Sequence, residues 1–225
     1  MKKLAFLAIF QAMGKLDELK KHLKPGQVYR RADLVCWSTS VDRHLKQLVG
    51  SGTLKKLSGG IYTYPKKTAF GLAPASDEDV VSAFLKDAPF LLASPNAYNS
   101  LGVGTTPLYD KTVVYNHKRH GEFQLGSRRF TFRVKPRFPK SLTREFLLVD
   151  LVNNLDQLAE AKDEVLKRVV ECVTELDQRR FRRAVRDYGS ERTKKFFERM
   201  LPSGSSSSLS TKDSYNTKRT ELAPV

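Results

Sequence analysis

SVDRHLKQLVGSGTLKKLSGGIYTYPKK, residues 40–67, reads as two devices joined end to end. In the first part Val41, Leu45, Leu48 and Val49 fall on one face at helical spacing. Arg43 points the other way, flanked by Lys46 and Gln47, with Thr39 and Ser40 at the N-terminal end. Ser38-Thr39-Ser40 supplies good N-caps, and Gly50-Ser51-Gly52 ends the helix. Residues 54–57 and 61–64 then make two short strands around Ser58-Gly59-Gly60, a hairpin turn. Upstream, a first helix stops near Lys24 at Pro25-Gly26, Val28-Tyr29 is extended, and 31–36 forms a compact second helix. Three helices followed by a two-stranded wing make a winged helix-turn-helix.

The charge agrees with that reading. The 225 residues carry 40 Lys and Arg against 24 Asp and Glu, a net of +16. A surplus of this size favours a polyanionic partner, through phosphate neutralisation and counterion release. Residues 1–67 hold 14 of the basic residues and 4 of the acidic ones, a net of +10, so most of the excess sits on the winged helix. The two cysteines, Cys36 and Cys172, lie far apart outside any CxxC pattern. They read as small core residues of a reducing compartment, with neither a disulfide framework nor a zinc cluster.

The opening MKKLAFLAIFQAM has the outline of a short signal peptide. The competing reading is a first helix whose stripe runs from Leu4 and Leu7 through Leu16, Leu19 and Leu23, and the unpaired cysteines and basic charge favour it. No apolar run approaches membrane-spanning length. After residue 67, a linker through Gly71, Pro74 and Ser76 leads to a second domain, residues 77–201. There, helices are expected at 77–86 and 94–101, and strands at 112–116, 122–125 and 128–135. Helices then fill 142–155, 162–176, 177–188 and 191–200. The Ser-rich stretch from 202 to 225 has the composition of a disordered tail. The fold class is therefore α+β: an N-terminal winged helix-turn-helix over 1–67, then an α+β domain with a small antiparallel sheet and several helices.

Several segments together resemble one family, the AbiEi-type antitoxins of type IV toxin–antitoxin systems. KPGQVYRRADL (24–34) and VDRHLKQLVGSGTLKKLSGGIYTYPK (41–66) are similar to its winged helix, including the PG-x-V turn and the G-x-Y wing. ASPNAYNSLGV (93–103), KTVVYN (111–116) and LGSRRFTFR (125–133) are similar to its second domain, so the likeness spans about residues 14–200. The resemblance implies a bacterial cytoplasmic transcription regulator that binds repeats in its own promoter as a repressor. It also implies an antitoxin that counters a co-encoded nucleotidyltransferase-type toxin, mainly through the second domain.

Residue chemistry places the DNA contacts. Arg can bond guanine bidentately and Gln can pair with adenine, so Arg43 and Gln47, four apart, suit base readout beside Thr39 and Ser40. Lys46, the wing residues Lys55, Lys56 and Ser58, and Arg30 and Arg31 at the start of the second helix suit the phosphate backbone. Asp42 orients Arg43 or accepts from cytosine. Arg129, Arg133 and Lys135 alternate with Phe130, Phe132 and Val134, which outlines a secondary basic face. RRFRRAVR (179–186) is a denser patch, with acids nearby to pair with it. His117 and His120 lack a third ligand, and His22 and His44 stand alone, so neither a metal nor a cofactor is expected. A nucleotidyltransferase needs two carboxylates one residue apart on a strand near its Gly-Ser turn; Gly126-Ser127 has none, and no other catalytic motif is present. The chain reads as a non-enzyme. Two other functions remain: an RNA-binding winged helix, or a protein-interaction module whose charge only steers its partner.

Overall fold

The computed structural model describes residues 15–103 and 108–200. The apolar opening segment, with its signal-peptide outline, and the tail expected to be disordered both lie outside them. Residues 15–22 are helical (α1), followed by β1 (Val28–Arg30), α2 (Arg31–Leu34), a 3-10 turn at Val35–Trp37 and α3 (Val41–Gly50). β2 (Lys55–Ser58) and β3 (Ile61–Thr63) form the hairpin, and β1 completes an antiparallel sheet in the order β1-β3-β2. The expected stripe is the core: Leu19, Leu23, Leu34, Leu45 and Leu48 are all buried together, with Tyr29 from the sheet.

The second half is built on β6 (Phe90–Ala93), β7 (Thr112–Asn116), β8 (Gly121–Leu125) and β9 (Arg128–Val134), in the order β6-β7-β9-β8. Only the β7–β9 pair is parallel. α4 (Asp77–Leu85) covers one face, capped by Ser76 Oγ, which accepts from the Asp79 amide. α5 (Arg144–Asn154) lies on the other, capped by Thr143, with every residue from Phe146 to Val152 buried. A helix apolar all round has to be enclosed. Here Phe146 joins Tyr115 against the sheet, while Leu148, Leu151 and Val152 meet α6 (Lys162–Thr174), α7 (Gln178–Tyr188) and α8 (Glu191–Met200). The architecture is mixed α+β, and no described helix is long and apolar enough to cross a membrane.

Four local expectations change. The linker region instead contains a two-stranded hairpin, β4 (Lys66–Thr68) and β5 (Gly71–Ala73), with Phe70 fully exposed at its turn. β6 is an additional strand: α4 has already ended at Lys86, and the apolar run Phe90–Ala93 after Pro89 pairs with β7. Residues 95–101 wind as a 3-10 helix with Pro95 in the first turn. Cys36 is exposed rather than in the core, since it lies on the outward side of the 3-10 turn with Sγ donating to the Asp33 carbonyl.

The two halves share the wing sheet. Tyr29 and Tyr62 pack into the helix-turn-helix core, whereas Val28 and Leu57 pack against the buried cluster of the second half that includes Val80, Leu125 and Phe132. Three ring pairs among Phe84, Phe123 and Phe132, with centroids 5.1–5.3 Å apart, belong to the same cluster.

Candidate nucleic-acid interface

The orientation of α3 follows from its apolar stripe. Val41, His44, Leu45 and Leu48 are buried, which leaves Asp42, Arg43, Lys46 and Gln47 exposed on a single outward face. Among the described residues, none forms a hydrogen bond or ion pair with the side chains of Arg43, Lys46 or Gln47. Thr39 and Ser40 are exposed at the N-terminal end of this face. Three uncommitted polar side chains at helical spacing are what base-edge readout requires.

The start of α3 is held by a device that sequence alone did not reveal. Ser40 occupies the N-cap position without a side-chain cap bond. Ser38 Oγ instead accepts from the Ser40 amide at 3.2 Å and lies 2.8 Å from His44 Nδ1. A ring protonated on Nε2 accepts the Ser38 hydroxyl at Nδ1, and one protonated on Nδ1 donates to it. Burial pushes the His44 pKa down, and the nearby Arg43 and Lys15 charges push it further. The histidine that looked solitary is buried in the first turns of α3.

Both arginines expected on the phosphate backbone have internal partners. Arg31 Nε and Nη2 grip Asp42 Oδ1 and Oδ2 at 2.6 and 2.5 Å, a bidentate pair bridging α2 and α3. The hydrogen bonds from Arg31 hold the Asp42 carboxyl below its ordinary value. Asp42 therefore restrains Arg31, rather than orienting Arg43. Arg30 donates to Asp33 at 2.9 Å and to Asp87 at 2.8 Å. Through Asp42 the Arg31 guanidinium borders the α3 face, and at this exposed position a phosphate can compete with the pair.

In the wing, Lys55 stands opposite Thr63 and Lys56 opposite Tyr62, so the two exposed lysines alternate across the sheet. Lys56 shares the side of Tyr62, which packs towards the helix-turn-helix core. Ser58 is half-buried opposite Ile61, and the Gly60 carbonyl accepts from the Arg31 amide at 2.7 Å. The wing turn thus sits at the start of α2, beside Arg31 and the N-terminal end of α3.

The secondary basic face on β9 is not a face. Phe130 and Phe132 are buried as their period of two requires, and Arg129 is exposed. Arg133, however, donates to Asn154 and Gln157, and Lys135 Nζ reaches buried Asp150 Oδ1 at 2.9 Å. α5 covers that side of the sheet, so long cationic side chains there must find partners inside. The Tyr98 and Tyr115 hydroxyls also donate to Asp150 at 2.8 Å, and burial raises both phenol pKa values. The cavity beside this network, about 30 Å³, has room for ordered water. On α7, Asp187 draws in Arg137, Arg183 and Arg186, so part of the arginine run is spent on one acid. His117 Nδ1 lies 2.9 Å from the Lys135 carbonyl and its ring stacks on Phe138.

No family model matches the sequence, and no curated protein matches it. Among solved structures, the crystal structure of the RV2827C protein from Mycobacterium tuberculosis is similar to this chain with a TM-score of 0.51 and 14% identity. The match covers 78% of this chain and 71% of that one. At this identity the likeness is one of fold: both chains share a mixed α+β architecture.

Proposed function

We propose that the chain is a sequence-specific DNA-binding protein that represses its own operon as the antitoxin of a bacterial cytoplasmic toxin–antitoxin pair. The observation that carries the DNA reading is the outward face of α3, where Arg43, Lys46 and Gln47 stand exposed and uncommitted. The other two arginines of residues 1–67, Arg30 and Arg31, are tied to carboxylates, so this face is where donors are available for base edges. The net of +10 over residues 1–67 supplies the attraction to phosphate, and the wing turn flanks the helix. The antitoxin role rests on the resemblance of residues 14–200 to AbiEi-type proteins, and makes a co-encoded nucleotidyltransferase-type toxin the functional partner. This reading gives the chain no catalytic step, metal or cofactor.

The test is a gel shift on the DNA upstream of the protein's own gene, against excess random duplex across a salt series. The expected result is a complex that survives the competitor and weakens steeply with salt. Competition to nothing by random duplex removes the repressor reading. The antitoxin half is tested by co-expression: the chain restores growth to cells expressing the neighbouring gene's toxin, and failure to do so removes that half.

A further inference from the structure

We infer that the second half of the chain is a brace that sets the position of the wing, through a contact centred on Leu57 and Gly126. The inference rests on the DNA-binding reading and goes beyond it. In β2 the register slips between Lys56 and Ser58, leaving Leu57 as an extra residue without a partner across the hairpin. A bulge of this kind leaves a backbone carbonyl that must be satisfied elsewhere. The Gly126 amide, in the turn between β8 and β9, donates to that carbonyl at 2.8 Å.

The close approach needs glycine twice over. Gly126 has φ +67°, and a Cβ there would come within 2.9 Å of Leu57 Cδ2. The Leu57 side chain meanwhile packs, with Val28, against the buried apolar cluster of the second half that includes Leu125 and Phe132. Backbone and side chain of the bulged residue are therefore both held by the other half of the molecule.

A second strut lies at the opposite edge of the same sheet. Asp87 follows α4 with φ +57°, directly after Lys86 at φ 55°. Two successive non-glycine residues in the left-handed region are a costly backbone conformation. They aim the Asp87 carboxylate so that it takes Arg30 Nη1 at 2.8 Å while accepting from Ser82 Oγ at 3.1 Å. Arg30 is also the N-cap residue of α2. One strut fixes the tip of the wing strand and the other fixes the start of α2, and the Arg31 amide to Gly60 carbonyl bond joins the two points.

The consequence is that the wing is presented at an angle fixed by the second half. β2 is a four-residue edge strand paired with β3 alone, so its outer side is held by this contact with the second half. Leu57 and Gly126 are thus positioning residues: neither has a charge or donor for DNA, and their effect on binding passes through Lys56, Ser58 and the wing turn.

The experiment uses the full-length chain with Leu57→Ala, Lys56→Ala and the double variant, each titrated against a random-sequence duplex over a salt series. Each phosphate contact contributes about 0.9 to the slope of log K against log salt. Lys56→Ala alone is expected to flatten the slope by about 0.9. Leu57→Ala is expected to flatten it at least as much, and Lys56→Ala added to it changes nothing further. Val169→Ala, a core truncation between the helices of the second half, lowers stability with the slope unchanged and controls for destabilisation. Hydrogen exchange supplies a readout independent of DNA: the Arg31 and Gly126 amides exchange faster in Leu57→Ala than in Val169→Ala. If Leu57→Ala fails to fold, Gly126→Ala tests the same contact without touching the wing's side chains. A wild-type slope, an additive double variant and unchanged exchange overturn the brace. A wild-type chain that does not bind duplex overturns the DNA reading instead, and the exchange result then decides the brace by itself.

Discussion

Arg43 and Lys56 belong to the same proposed interface and are expected to fail in different ways. Arg43 projects from the outward face of α3, where its bidentate fork suits guanine. Arg43→Ala should cost about 1–3 kcal/mol on the specific site and little on random duplex, collapsing the ratio between them. Lys56→Ala should weaken both alike. Parallel losses for the two variants in a competition titration would falsify the division of roles. His44 makes a second prediction, set by its own protonation. Its folded pKa lies below the ordinary value of 6.5, so the unfolded chain takes up a proton that the fold resists. Stability is therefore complete above that value and declines as pH falls through it. The melting temperature should drop between pH 7.5 and 5.5 in the native chain, and His44→Gln should remove most of that drop. An identical pH profile in the two proteins would mean that the Ser38–His44 contact does not govern the turn.

At the scale of elements, the informative pair is β9 and α5. Strand alternation correctly places Phe130 and Phe132 in the core. The same alternation makes Arg133 and Lys135 look solvent-facing, because period two says which residues share a face and not what covers that face. α5 covers it, and Asp150 meets Lys135, Tyr98 and Tyr115 between the two layers. Asp150 is 0% exposed, so Asp150→Ala strands a half-buried ammonium and two buried hydroxyls. Removing one partner of such a pair costs about 3–5 kcal/mol, and a chain of this size loses about 2–4 °C of melting temperature per kcal/mol. A fall of roughly 6–20 °C by circular dichroism is expected on that arithmetic. A fall of only two or three degrees would mean that the network is dispensable to folding.

Across the whole molecule, the wing sheet is common to two cores: Tyr29 and Tyr62 on one side, Val28 and Leu57 on the other. Cooperative units merge when they share buried surface. Calorimetry of the full chain is expected to show a single unfolding transition, and two well-separated ones would contradict the shared sheet. This arrangement also marks what was legible beforehand. The helix-turn-helix, the wing, and helices α5 to α8 follow from local pattern: apolar stripes at helical spacing, Ser and Thr caps, Pro-Gly and Gly-Gly stops. The outward set of Arg43, Lys46 and Gln47 is legible for the same reason, since the stripe that buries Leu45 and Leu48 leaves only one way for them to point. What only the tertiary structure decided concerns partners distant in sequence. Asp42 holds Arg31, Asp87 holds Arg30, Asp150 holds Lys135, and Gly126 meets Leu57 across the boundary where a linker was expected. Hydrophobic periodicity is a property of neighbours along the chain, whereas the partner of a charge or an unpaired carbonyl depends on which elements pack together.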